Sequence, residues 1–113
     1  MRYMLWMIDD GSYEPGPDEI AVMPEFVAWE EKVAALGVAH QGVRLRPRDA
    51  AVTVRVRDGE RLVTDGPFAD TKEHIGGFEI IDATDLDQAI EVAAGHPAAR
   101  NGVEIRPLRI AEA

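Results

Sequence analysis

Met1-Arg2-Tyr3-Met4-Leu5-Trp6-Met7-Ile8 is apolar on both sides of an extended chain. Successive side chains of a strand point to opposite faces, so Tyr3, Leu5 and Met7 share one side while Met4, Trp6 and Ile8 share the other. A strand greasy on both faces belongs in the middle of a sheet. Gly77 to Ile81 repeats the property, with Phe78 and Ile80 opposite Ile81. The first stretch stops at Asp9-Asp10-Gly11, too early for a secretory leader, and no run approaches the ~18 apolar residues of a membrane span. These features point to a soluble cytoplasmic protein.

Between the two strands, Glu19 to Leu36 alternates apolar and charged residues at helical spacing. Pro24 fits only the first turn, so the regular helix is expected from about Met23, with Gly37 as its left-handed stop. Asp9 to Pro17, rich in Gly, Pro and acidic residues, reads as a surface loop. Val38 to Leu45 is extended, and Ala51 to Arg57 alternates cleanly into Asp58-Gly59, a strong hairpin signal, with Glu60 to Thr64 as the returning strand. Asp70-Thr71-Lys72-Glu73 predicts a capped helical turn. Thr84 or Asp85 caps a second helix, Leu86 to Ala94, whose expected buried stripe is Leu86, Ala89, Ile90 and Ala93. Val103 to Ile110 is the last strand.

The order is an α+β, ferredoxin-like βαββαβ pattern with an extra β-hairpin. In that topology the first and third principal strands are central, as their composition requires. Two helices cover only one face of a four-stranded sheet. A second copy of the chain is the simplest cover for the other, which predicts a homodimer.

A chain of 113 residues makes one domain, 1–113, large enough to hold a core without disulfides or a structural metal. Twelve Lys and Arg against 21 Asp and Glu leave a net charge of -9, which repels phosphate backbones and anionic lipid, so neither nucleic acid nor membrane is expected as a partner. The absence of cysteine removes thiol nucleophiles, Cys-ligated zinc and iron–sulfur clusters. His40, His74 and His96 lack metal-site spacing, and no nucleotide-binding or nucleophile-elbow motif occurs. No cofactor and no metal are expected.

Val52-Thr53-Val54-Arg55, Thr64-Asp65-Gly66-Pro67-Phe68, Thr71-Lys72-Glu73, Gly76-Gly77-Phe78 and Val103-Glu104-Ile105-Arg106-Pro107-Leu108 together resemble the YCII-related (YciI-like) family in its DGPF branch. The resemblance covers nearly the whole chain. It implies a dimeric α+β barrel in which two ferredoxin-like sheets face each other around a pocket. It also implies a bacterial protein without an established reaction, in a branch often encoded near extracytoplasmic-function sigma factors. The YciI branch carries a His on the first helix and an Asp before a Pro near the end of the second. Here the first helix has no His and His96 precedes Pro97, so that acid–base pair does not carry over.

Within the shared motifs, Asp65 and Glu73 are the candidate catalytic carboxylates, with Lys72 placed to hold a substrate carboxylate. Phe68, Trp6 and Trp29 are candidate walls of an apolar ligand pocket, and Arg55 is a candidate anion contact. Each has a structural alternative: turn formation for Asp65, capping for Glu73, core or dimer packing for the aromatics, and a solvated strand face for Arg55. His96 reads as a helix C-terminal residue that favours the dipole when protonated. The expected function is small-molecule binding or cofactor-independent catalysis by a homodimer, with a small organic ligand between the two sheets. The alternative is a non-enzymatic accessory or regulatory protein that contacts a sigma factor.

Overall fold

The computed structural model describes residues 1–11, 23–69 and 71–109. The Asp9 to Pro17 loop beyond Gly11, the helical reading before Met23, the Asp70 cap and Ile110 lie outside the described residues.

Among the described residues six strands and two α-helices follow in chain order: β1 (Arg2–Asp9), α1 (Pro24–Ala35), β2 (Ala39–Arg44), β3 (Val52–Arg57), β4 (Glu60–Asp65), β5 (His74–Asp82), α2 (Leu86–Ala94) and β6 (Val103–Pro107). The main sheet runs β2-β5-β1-β6, with all described pairings antiparallel, so the two strands apolar on both faces are its centre. With the β3–β4 hairpin set aside, this is an order compatible with the ferredoxin-like pattern.

Pro24 occupies the first turn of α1, where its missing N–H costs nothing, and Gly37 (φ 71°) ends the helix in the left-handed region. The Asp85 side chain accepts the Gln88 N–H at 2.8 Å and starts α2. The buried stripe of α2 is Ala89, Val92 and Ala93, whereas Leu86 and Ile90 are half-exposed. The small alanines let α2 lie close to the sheet, which turns the larger side chains outward. That corrects the expected stripe. Two further corrections concern the segment before β5. Thr71 to Glu73 form no helical turn, and β5 begins at His74, because these residues extend β1 pairing through Ile8↔Ile75 and Asp9↔His74.

Both helices pack on one face of the sheet, against Tyr3, Leu5, Met7 and Ile81. Trp29 of α1 is buried there, and its indole N–H donates to the Val92 carbonyl of α2 at 2.9 Å, so its one polar atom is satisfied. The other face carries Met4, Trp6, Ile8, Phe78 and Ile80, all partly exposed. Trp6 and Phe78 pack ring to ring there at 6.0 Å. The hairpin turns at Asp58 and Gly59, both at positive φ, and leaves Val52, Val54, Val56 and Val63 exposed.

Candidate functional site

On the helix-bearing face, β5 presents Gly77, Glu79 and Ile81, and Glu79 stands between Leu5 of β1 and Gly42 of β2. A carboxylate here is anomalous. It sits on a central strand, beneath two helices, and is only 7% exposed. Gly42 explains how it fits: a Cβ at that position would overlap the Glu79 carboxyl group, so the glycine leaves the space the carboxyl occupies. The carboxyl reaches His40 on β2, whose Nδ1 lies 3.3 Å from Oε2. Burial pushes the Glu79 pKa up, contact with His40 pulls it partly back, and the negative charge of Glu30 adds to the rise.

His96, just after α2, lies on the same side of the molecule. Its Nδ1 accepts the Ala98 N–H at 3.0 Å and so caps the short turn Pro97–Arg100. Burial depresses its pKa to about 4, leaving the ring neutral near pH 7. His96 does follow the C-terminus of α2 as read from the sequence, but a neutral ring adds no charge to the helix dipole. An Nδ1 that accepts places the ring proton on Nε2. The ring meets Trp29 edge-on at 4.8 Å, and His40 meets the same indole at 5.0 Å. Trp29 thus holds both imidazoles in place.

A cleft of about 420 Å³ opens beside this cluster, where the end of the sheet meets the start of α1 and the Pro97–Arg100 turn. Glu79 and His96 both line it, together with Met7, Phe26, Arg44 and Gly77. Its size suits a small organic molecule. Gly77 also lines the cleft, and a Cβ there would stand 2.7 Å from the Val43 carbonyl oxygen of β2.

The family-model comparison matches residues 1–110 to the YCII-related domain. The chain belongs to the YCII-related family. A similar protein is an uncharacterised one from Rhizobium meliloti (strain 1021), 39% identical over 92 residues that make up 79% of this chain and 74% of that protein.

In this YCII-related protein the Gly76-Gly77-Phe78 motif lines the cleft, whereas the candidate site residues read from the sequence lie apart from it. Asp65 ends β4, Lys72 and Glu73 are exposed on the way into β5, and Phe68 is 79% exposed. Arg55 of β3 donates to the Phe68 carbonyl at 3.3 Å, and Thr53 donates to the Gly66 carbonyl at 2.8 Å, so the Asp65-Gly66-Pro67-Phe68 turn is bound to the hairpin. Trp6 is on the open face and Trp29 in the core. None of these seven candidates lines the cleft. Glu79 and His40 are not among the candidates read from the sequence. Their signal was present: a Glu at an inward position of a strand apolar on both faces requires burial of a carboxyl group.

Proposed function

We propose that this YCII-related protein is a homodimeric α+β barrel of the DGPF branch that binds a small organic molecule and acts on it without a cofactor. The site is the helix-side cleft, with Glu79 as the proton-exchanging group. The observation that carries this reading is a buried carboxyl group of raised pKa opening onto a cleft of ligand size. Raised carboxylates in clefts are the expected form of a general base or acid near neutral pH. His40 orients Glu79 through Oε2.

The dimer reading is supported by the open face, where Met4, Trp6, Ile8, Phe78 and Ile80 form one apolar surface that no described helix covers. Its rim carries Arg2 and Arg106 against Asp82 and Glu104, a balanced set in a chain of net charge -9, so two copies meet there without the repulsion of the remaining surface. Burial of ~800 Å² per chain, the size of a stable interface, is within reach of such a face. No described helix is long and apolar enough to cross a membrane, and a cytoplasmic location belongs to the same proposal.

Screening metabolites for thermal stabilisation tests the cleft: a ligand at 100 times its Kd adds about 2.7 kcal/mol. Stabilisation that Glu79→Gln abolishes supports the reading, and a hit indifferent to Glu79→Gln refutes the site. Light scattering tests the dimer. A monomer at micromolar concentration would refute it and leave the open face to a different protein, as in the accessory role.

A further inference from the structure

We infer that the cleft accepts a small, largely apolar carbonyl compound, whose oxygen takes a hydrogen bond from His96 Nε2–H while the Glu79 carboxylate moves a proton at the adjacent carbon. This inference rests on the cleft being the site. It adds the substrate class and a second working residue.

The donor follows from local geometry. The Ala98 N–H occupies Nδ1, which leaves Nε2 with the proton. His96 lines the cleft, and no buried side-chain nitrogen or oxygen among the described residues lacks a hydrogen-bond partner. Among the described residues no hydrogen bond engages Nε2, which leaves its N–H available to a ligand in the cleft that His96 lines. Edge contacts with Trp29 and Phe26, at 4.8 and 6.0 Å, fix the ring plane. A neutral N–H of this kind suits an oxygen that gains negative charge during reaction, because it strengthens as that charge develops and does not simply protonate the oxygen. Met7, Phe26, Pro97 and Ala98 give the cleft an apolar wall for the ligand body, with Asp9, Arg44 and Arg100 elsewhere in the lining.

A carboxylate base paired with a neutral imidazole donor is one arrangement that serves enolisation. Glu79 Oε1, the oxygen not held by His40, takes a proton from the carbon next to the carbonyl. The C–H electron pair becomes a carbon–carbon double bond, and the carbonyl π pair moves to oxygen, where His96 Nε2–H meets it. Return of the proton to the same carbon exchanges it; return to a conjugated carbon isomerises the ligand. Neither outcome needs an oxidant, reductant or co-reactant.

The test is hydrogen–deuterium exchange of acetone, cyclohexanone and acetophenone in D2O, followed by proton NMR, with the wild type, His96→Asn, His96→Gln and Glu79→Gln. Asn keeps an acceptor for the Ala98 N–H but has no group at the Nε2 position, whereas Gln carries an amide N–H near it. Exchange above buffer with at least one ketone is expected. It should be lost in Glu79→Gln, fall about 100-fold in His96→Asn and recover in His96→Gln. Equal rates in wild type and His96→Asn would overturn the role of His96. No exchange above buffer with any of the three ketones would overturn the carbonyl assignment, while a metabolite hit dependent on Glu79 would still uphold the cleft. Nitrogen-15 NMR gives a readout independent of turnover: an Nδ1–H tautomer at pH 7 would also overturn the inference.

Discussion

Acidification should weaken the fold through His96, and the size of the effect follows from its burial. The ring titrates near 6.5 in an unfolded chain and near 4 in the folded protein. Below pH 6.5 the unfolded state therefore binds a proton that the folded state does not, and folding loses free energy as pH falls toward 4. Between pH 7 and pH 5 these two values give a loss of about 2 kcal/mol from this single group. In a domain of this size that is roughly 10 °C in Tm. Glu79 works in the opposite direction: its raised carboxyl pKa makes the folded state take up a proton first, which stabilises it as pH drops. A paired comparison removes that contribution. Urea unfolding of the wild type and His96→Asn at pH 7, 6 and 5 should show the difference in stability between them shifting against the wild type by about 2 kcal/mol. Parallel stability curves would mean that His96 is as easily protonated when folded as when unfolded, and the account of its environment would fail.

Other substitutions examine the surrounding structure. Gly42→Ala should drive the Glu79 carboxyl group off His40 and cost about 1–3 kcal/mol in urea unfolding, with loss of the His40 Nδ1–H signal by NMR. Gly77→Ala sets its methyl group against the Val43 carbonyl, which is backbone in a paired strand, so the chemical-shift changes should run along β2 and the stability cost should be about 1–3 kcal/mol. Met4→Asp, on the open face, should give a folded monomer by light scattering, whereas Leu5→Asp, fully buried one residue along, should abolish the cooperative unfolding transition. A folded dimer carrying Met4→Asp would place the contact elsewhere.

The order of elements was readable because each carries a local physical mark: two-sided greasiness in β1 and β5, Pro24 and Gly37 bounding α1, Asp58-Gly59 turning the hairpin, and Asp85 capping α2. The site was less readable. Asp65, Lys72 and Glu73 cluster in sequence, but the chain carries them along the exposed connection between the hairpin and β5, away from the cleft. Glu79 and His40 stand 39 residues apart and meet only because β2 pairs with β5 in a register that sets Gly42 opposite Glu79. The α2 stripe was misplaced for a related reason. Periodicity identifies an amphipathic helix, but how far it rotates on the sheet depends on the side chains beneath it.

Sequence alone determined the order of the main strands and the two helices, and that β1 and β5 lie inside the sheet, because those outcomes depend on turn chemistry and on alternation along a few consecutive residues. Only the tertiary structure decided where a carboxyl group is taken out of water, which histidine stays neutral beside it, and where the cleft opens. Dehydration and hydrogen bonding of this kind are set by neighbours from β1, β2, β5 and the two helices at once, and no short stretch of sequence contains them.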